Sequence, residues 1–411
     1  MESRDLRGAE SPAADAAGLL LRIGFAILVL VAPVAAVFSR RAFVVLVPVG
    51  SLLIVASALV LDAGGLMRRV RDSLVSPVGI AVLFFLGWLL MSLVWTPFPA
   101  AAAERGFRTA GTLLMALIVA NALPERMRAS NLNLMTIGVA LATLALSLSA
   151  LAGPFVRLTQ NPEAPTFARA AVAASVMVWP AVAWTFIRSR DWQGLSLIAV
   201  SGLACAASGS IDAAITLVAA LLVFLAARTN SAATARSLAI ALPAVVMLAP
   251  VGAFAARALA ATLGLRPNQV LSEIGIWADQ ISAQPLRLIT GHGFDTTHRA
   301  QMAGLVNPAA PDGLLPMLWY DLGLPGAVLL ATVLYVALNI IGAQSRALAP
   351  AVLSGITATF VFALLDVTAT QAWWLSVSAV VIVMLVAVRN GQYRTVRPTA
   401  ELVPRARLNA D

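Results

Sequence analysis

The polar residues that could do chemistry gather in one segment of this chain, residues 259–326. Both histidines, His292 and His298, lie in it, together with Asp295 and Asp312. Long apolar runs lie on either side, so a chain with few polar residues concentrates them in one stretch. Because ionisable groups in a membrane protein usually mark functional sites, we expect the chemistry of this protein here.

The spacing of these residues argues against a metal site. His292 and His298 have no further ligand cluster near them in sequence, and their separation matches no recognisable metal-ligand spacing. The single cysteine, Cys205, lies in an apolar run, which excludes a disulfide framework and a cysteine-based metal site. Gly291 and Gly293 flank His292, and we expect them to serve the backbone conformation of a turn rather than to hold phosphate.

The composition is that of a membrane protein. Hydrophobic residues make up 60% of the chain and charged residues 11%, and the mean hydropathy is +0.89. Apolar runs of about 18 residues or more recur along it, each long enough to cross a bilayer as a helix. Helices are the expected spanning element, because backbone polar groups in lipid must be satisfied internally.

Hydropathy predicts an all-α polytopic membrane protein with about twelve transmembrane helices and one long loop between the ninth and tenth spans. The predicted spans are 19–38, 42–61, 78–95, 109–123, 132–152, 170–187, 194–208, 211–227, 238–256, 319–342, 351–367 and 371–388. Residues 1–18 form an N-terminal segment, 257–317 the long loop with a short amphipathic helix between Val270 and Ile281, and 389–411 a C-terminal tail. The seventh and eighth spans are separated only by Gly209 and Ser210, which leaves open a tight hairpin or one broken element.

The net charge of +9 does not indicate nucleic-acid binding. Every basic residue is arginine, and most lie in short loops between apolar runs, as the positive-inside rule produces. No basic stripe alternates with aromatic residues, as a nucleic-acid groove requires. With the N-terminus in the cytoplasm, more arginines lie inside than outside. We therefore expect a multi-pass protein of a bacterial inner membrane, with both termini cytoplasmic and the long loop periplasmic.

Short elements in a fixed order carry a family resemblance. They are Phe167-Ala168-Arg169-Ala170, Trp179-Pro180, Ile276-Trp277, Gln284-Pro285-Leu286, Gly291-His292-Gly293-Phe294-Asp295 and Trp319-Tyr320-Asp321-Leu322-Gly323-Leu324-Pro325-Gly326. In order and spacing they resemble the elements of the O-antigen ligase and O-antigen polymerase family. A long periplasmic loop before the last three spans is similar to that family as well.

The resemblance implies a metal-independent glycosyltransferase without a cofactor. Such enzymes move a glycan from a polyprenyl-diphosphate carrier to an acceptor glycan or lipid A core, within the lipid bilayer and beside other proteins of polysaccharide assembly. The leaving diphosphate requires cations, and arginine binds it bidentately. The acceptor hydroxyl requires a base. On this resemblance Arg169 is the main candidate for binding the diphosphate, and further candidates are Arg157, Arg266, Arg287 and Arg299.

The chain departs from the family at the usual base. The family's His-Pro-His-Asn sequence is replaced by Ala310-Pro311-Asp312-Gly313, and the position of a usual arginine holds Glu273. On this resemblance His292 is expected to shape its turn rather than to act as the base. Asp312 or His298 is the candidate base, although Asp312 could instead cap the following helix. Arg169 could be an interfacial arginine and the loop arginines solvated charges.

Two other functions stay open on the sequence. The loss of the histidine motif fits a non-catalytic member of the family that binds lipid-linked glycan or assembly partners. A secondary transporter is the third interpretation, but it predicts a polar site near the middle of the membrane, and the spans are almost free of charge.

Overall fold

The computed structural model of the chain describes residues 12–152, 166–264, 269–311, 313–342, 348–365 and 371–391. These ranges are helices joined by short connections, without strands. In chain order the helices are α1 Pro12–Phe38, α2 Ala42–Leu74, α3 Pro77–Val94, α4 Pro99–Ala122, α5 Ala129–Leu151, α6 Thr166–Ile187, α7 Asp191–Ser208, α8 Ile211–Thr229, α9 Ser231–Thr262, α10 Gln269–Ala283, α11 Arg287–Thr290, α12 Thr296–Met302, α13 Leu314–Gly342, α14 Ala349–Leu365 and α15 Ala372–Gly391.

Among the described residues, nine helices are long and apolar enough to cross a membrane. They are α1, α2, α3, α5, α6, α8, α9, α13 and α15. The all-α, multi-pass character predicted from sequence is therefore confirmed. Each of the twelve predicted spans overlaps one helix. Three of these helices, α4, α7 and α14, are not among the nine, and α14 has only 17 residues. The count of twelve spans therefore stays a prediction.

Capping residues separate neighbouring helices. Ser76 accepts a hydrogen bond from the backbone N–H of Gly79 (3.1 Å) at the start of α3, where Pro77 occupies the first turn. Between α7 and α8, Gly209 adopts a left-handed conformation (φ 67°), and the Ser210 hydroxyl accepts from the N–H of Ala213 (3.3 Å). The two segments that the sequence left open are thus two helices joined by a tight turn.

The centre of the bundle is α6, whose residues from Ala170 to Thr185 are all buried. It packs against α15, which is also largely buried. Much of this contact is made by alanine and valine, small residues that let helices approach closely in a membrane protein. A helix buried on all sides supplies a rigid axis around which the other helices pack.

One end of the bundle carries segment 269–311, which connects α9 to α13 through short helices, and we call it the loop end. The first residues of α6 and α15 meet near this end, where the guanidinium of Arg169 lies 5.3 Å from the centre of the Trp373 ring. Trp373 packs on Phe362 near the end of α14, and Gly313 lies against the Leu364 carbonyl. The start of α13 and the start of α6 therefore belong to the same end.

The opposite end, which we call the far end, is marked by contacts between α4, α5, α6 and α15. The Asn390 side chain donates to the Pro124 carbonyl (3.0 Å), and the Trp184 indole donates to Asn133 (2.8 Å). Described arginines near the helix ends on this side are Arg68, Arg69, Arg71, Arg126, Arg128, Arg188, Arg190, Arg228, Arg236 and Arg389. Outside segment 269–311, the loop end has fewer: Arg40, Arg41, Arg105, Arg108, Arg169 and Arg257.

Candidate functional site

A break in α13 builds the site at the loop end. Gly323 has φ 63° and ψ −160°, a conformation that interrupts the helix and that an L-residue rarely adopts. Two residues later, Pro325 has no N–H to donate to the carbonyl of Asp321. The carbonyls just before the break are consequently free to accept hydrogen bonds from outside the helix.

The carbonyls just before the break are those of Tyr320, Asp321 and Leu322. Each of them accepts a hydrogen bond from another part of the chain. The donors are the His292 N–H to the Tyr320 carbonyl (2.8 Å), the Gly293 N–H to the Asp321 carbonyl (2.9 Å) and the Trp88 indole N–H to the Leu322 carbonyl (2.9 Å). The segment 291–293 is therefore fixed to α13 by main-chain bonds, and α3 closes the other side of the break.

Glycine is required where these backbones meet. Gly291 has φ 70°, and a Cβ atom there would lie 2.3 Å from the Asp321 carbonyl oxygen. Gly293 has φ 97°, and a Cβ there would lie 2.6 Å from the Cα of Thr96. A Cβ on Gly323 would meet the Gly291 nitrogen at 2.6 Å. The prediction that Gly291 and Gly293 serve backbone conformation is confirmed.

The end of α3 holds the next residues of the segment. The Ser92 hydroxyl accepts from the N–H of Phe294 (3.1 Å), and the hydroxyls of Thr96 and Thr296 lie 3.1 Å apart. All four residues are buried. Segment 269–311 is thus tied to elements about 200 residues away in the sequence.

Two residues after the Gly291–Gly293 turn, Asp295 is buried and lies between Arg105 and Arg299. Its carboxylate forms an ion pair with Arg105 of α4, and its other oxygen lies 3.4 Å from Nε of Arg299. Burial raises the pKa of Asp295, although the charges of Arg105 and then of Arg299 act in the opposite direction. Because the ion pair between Arg105 and Asp295 joins α4 to the start of α12, we interpret it as a clamp that holds segment 269–311 on the bundle.

Asp321 is a second buried carboxylate beside the first. Its Oδ1 accepts from the N–H and from the hydroxyl of Thr297, at 2.8 and 2.6 Å. Its Oδ2 has no hydrogen-bond partner among the described residues. Since Asp321 has almost no exposed surface, it can orient α12 but has no direct access to a substrate.

A cavity of about 380 Å³ opens between α10, the segment after α12 and the start of α13. Its polar lining consists of Asp279, Gln280, Gln284, His292, Asn307 and Tyr320. Its apolar lining includes Ile276 and Val306. This volume lies within the range of about 300–1,000 Å³ that is usual for small-molecule sites. The mixture of hydroxyl, amide and carboxylate groups suits a polyhydroxylated ligand.

His292 is the titratable side chain that the cavity lining fixes most firmly. Its ring stacks on the Tyr320 ring with the centres 3.9 Å apart. Nδ1 lies 3.1 Å from the Tyr320 carbonyl, which can only accept, so Nδ1 carries the proton. The Gln284 atom placed 2.8 Å from Nε2 is the side-chain oxygen Oε1, which also only accepts. Turning this amide over by 180° presents its NH₂ group, so that Nε2 of the neutral ring accepts a hydrogen bond. With the amide in this orientation, Nε2 is the basic atom that faces the cavity.

The surroundings of this imidazole favour its neutral form. Burial lowers the pKa of His292, and the nearby charge of Arg287 lowers it further, against the opposite effect of the Tyr320 carbonyl. At the rim, Asp279 forms an ion pair with Arg257. A neutral histidine with one nitrogen fixed by a carbonyl is the form that can accept a proton from a hydroxyl.

The sequence candidates separate into different places. Arg169 lies over the Trp373 ring, Arg287 lies 3.5 Å from the Gly291 carbonyl, and Arg299 is paired with Asp295. The structure brings Arg287 to the cavity turn but does not show it, or Arg299, in contact with Arg169. His298 lies near Asp295, away from the cavity lining. Asp312, Arg157 and Arg266 lie outside the described residues.

Sequence reasoning assigned His292 to the shape of the turn and did not select Gln284, Asn307 or Tyr320. The position of His292 between two glycines was a signal that this residue is special. The sequence around it did not indicate that Gln284, Asn307 and Tyr320 would line a cavity together with it. In the described part of the chain, no group of three or more His, Cys, Asp and Glu side chains could hold a metal ion.

In comparisons with known proteins, no family model matches the chain, and no curated protein sequence matches it. The resemblance to O-antigen ligases and polymerases therefore rests on the short elements alone. Of these, the Gly-His-Gly-Phe-Asp element and the element from Trp319 to Gly326 are in direct contact.

Proposed function

We propose that this protein transfers a glycan from a polyprenyl-diphosphate carrier to an acceptor sugar, in the manner of the O-antigen ligases and polymerases that its elements resemble. One observation carries the proposal. The elements at 291–295 and 319–326 dock on each other through main-chain hydrogen bonds and together contribute His292 and Tyr320 to a polar cavity. The site stands at the end of an apolar bundle, where a lipid-linked substrate and a water-soluble acceptor meet.

In this proposal the cavity receives the acceptor sugar. The acceptor hydroxyl displaces the Gln284 amide from Nε2 of His292, and Nε2 takes its proton as the hydroxyl oxygen attacks the anomeric carbon. The bond from that carbon to the diphosphate oxygen breaks, and the polyprenyl diphosphate leaves with the electron pair. The Tyr320 carbonyl holds the proton on Nδ1 and stabilises the imidazolium that forms.

Arginines are the proposed partners of the leaving diphosphate. Arg287 is exposed beside the cavity turn, and its planar guanidinium can bind two phosphate oxygens at once. Arg169 remains a candidate at the loop end, where Trp373 holds its guanidinium by a cation–π contact. Arg299 is less suited, because its guanidinium is already engaged with Asp295.

The same proposal includes the side of the membrane. The described far end carries more arginines in short connections than the loop end does, which favours a cytoplasmic far end and a periplasmic loop end under the positive-inside rule. The bacterial inner membrane is the compartment that fits this orientation. Acceptor glycan or lipid A core, and other proteins of polysaccharide assembly, are the proposed partners.

A second candidate is a non-catalytic protein that binds lipid-linked glycan. The replacement of the family's His-Pro-His-Asn sequence by residues 310–313 favours it. Under this alternative, a strain with Asp312→Ala and His298→Ala makes as much polysaccharide as wild type, and so does a strain with His292→Gln. The transfer proposal requires that His292→Gln abolish it.

The proposal can be tested with the purified protein and a polyprenyl-diphosphate-linked glycan. We expect release of polyprenyl diphosphate when an acceptor glycan is added, and loss of that release in Arg169→Ala and in Arg287→Ala. Arg108→Ala is the matched control, because Arg108 is an exposed arginine at the same end whose partner is Glu104. If Arg169→Ala and Arg287→Ala both released polyprenyl diphosphate as fast as wild type, the assignment of these arginines to the diphosphate site would be contradicted.

A further inference from the structure

A second cavity of about 380 Å³ lies at the far end, on the opposite side of the bundle from the proposed transfer site. It opens between α5, α6 and α7. Polar groups of its lining include Asn133, Gln193 and the Thr136 hydroxyl, and two arginines, Arg188 and Arg190, stand at it. Neither the transfer reaction nor the family resemblance uses any of these residues.

The two arginines have no compensating acid. In the part of the chain that the structure describes, neither Arg188 nor Arg190 forms an ion pair, and both are exposed. Arg188 lies over the Trp184 ring at 5.5 Å, which holds its guanidinium toward the cavity wall. By contrast, Arg228 of the same end is 3.7 Å from Asp191. The cavity therefore combines two arginines that form no ion pair among the described residues with hydrogen-bonding groups.

The apolar part of the cavity continues along the outside of α5. Ile137 and Ala140 form its wall, and Ile137 is 48% exposed. Leu141, Leu144 and Leu148 follow on α5 and are each about half exposed. Their spacing places them on one face of the helix. An apolar track therefore runs from the arginines toward the middle of the membrane, as an acyl chain requires.

From these features we propose that the cavity between α5, α6 and α7 binds the headgroup of an anionic phospholipid. Arg188 and Arg190 contact the phosphate, Asn133 and Gln193 contact the glycerol oxygens, and one acyl chain follows the exposed residues of α5. Basic pockets between transmembrane helices are known to hold anionic lipid headgroups. The continuous apolar track favours a lipid over a free phosphate ion, which would need only the arginines.

The test uses the full-length protein purified in a neutral detergent. Phosphatidylglycerol, phosphatidylcholine with the same acyl chains, and inorganic phosphate are titrated separately, and the thermal midpoint of unfolding is followed. We expect phosphatidylglycerol alone to raise the midpoint. In the double variant Arg188→Gln/Arg190→Gln, the phosphatidylglycerol concentration that raises the thermal midpoint by a given amount should be about thirtyfold higher than for wild type. The reason is that each arginine near a membrane surface contributes about 1 kcal/mol to the binding of an anionic lipid.

The matched control is Arg68→Gln/Arg71→Gln, which removes the same charge from the far end but lies on α2, outside the cavity. It should respond as wild type does. The proposal would be overturned if both double variants lost the response to phosphatidylglycerol equally. It would also be overturned if phosphatidylcholine or inorganic phosphate raised the thermal midpoint of wild type as much as phosphatidylglycerol does. If Arg188→Gln/Arg190→Gln does not fold, the variant Ala140→Leu is used instead. It fills the apolar part of the cavity and keeps both arginines. The proposal requires that this variant bind phosphatidylglycerol more weakly than wild type.

Discussion

The imidazole ring of His292 lies nearly parallel to the phenol ring of Tyr320, with 9° between the planes and 3.9 Å between the centres. Its Nδ1 simultaneously faces the Tyr320 carbonyl at 3.1 Å. One residue of α13 therefore fixes both the plane of the histidine and its tautomer. This arrangement aims Nε2 at the cavity before any substrate binds, which is the preorganisation that a general base needs.

The first prediction separates the two histidines. His292→Gln should lower the rate of glycan transfer by about 10²–10⁴-fold, the usual contribution of a general base. His298→Gln is the matched control and should keep most of the activity, because His298 lies outside the cavity lining. Transfer is measured with purified proteins that elute as wild type does in size exclusion. The reverse ranking of the two variants would assign the base to His298.

The second prediction concerns pH. The pKa of His292 is lowered from 6.5 by burial, so the folded protein binds this proton less readily than the unfolded chain. Stability is then full above pH 6.5 and falls as the pH drops below it toward the lowered pKa. The thermal midpoint of wild type should fall in that window more steeply than that of His292→Gln. Identical slopes would show that His292 does not titrate in this way.

The third prediction concerns the clamp between α4 and α12. Arg105→Ala leaves the buried Asp295 carboxylate with Arg299 alone, and we expect a loss of about 2–3 kcal/mol of stability, somewhat less than for a fully buried pair. Arg108→Ala, one turn along the same helix, removes an exposed pair with Glu104 and should cost about 0.3–0.5 kcal/mol. Thermal unfolding in detergent compares the two. Equal midpoints would mean that the Arg105 pair does not hold the segment.

The fourth prediction concerns the contact between the glycine turn and the α13 break. Gly291→Ala forces a Cβ against the Asp321 carbonyl at a backbone conformation reserved for glycine, and it should release segment 269–311 to limited proteolysis. Gly304 has the same φ of 70° but open space around it, so Gly304→Ala places an L side chain at a positive φ without the clash. If both variants are cleaved alike, the close approach is not what holds the segment.

Local pattern was enough to predict the helices but not their full lengths. Hydropathy ended the second span at residue 61, and α2 breaks at the next residue: Asp62 has the non-helical backbone angles φ −163° and ψ 80°, after which helical residues continue to Leu74. The helix expected between Val270 and Ile281 is observed as Gln269–Ala283, with Trp277, Ala278 and Ile281 buried. Periodicity reports which face is buried, but helix ends depend on contacts that hydropathy does not contain.

The contacts that build the candidate site join residues far apart in sequence. Asp295 and Arg105 are separated by 190 positions, and His292 and Tyr320 by 28. A single sequence carries no signal for such pairs, so His292 was assigned only to the turn. The glycines were easier to interpret, since a residue between two glycines in a polar segment already indicates a special backbone conformation.

The accumulation of lipid-linked glycan tests the transfer reaction most directly. In a bacterium that carries this gene, the gene is deleted and the polyprenyl-diphosphate-linked glycan is extracted and quantified. The account predicts that the deletion strain accumulates this donor, that the wild-type gene returns it to the normal level, and that the His292→Gln gene does not. A deletion strain with an unchanged donor level, or clearance of the donor by His292→Gln, would contradict it.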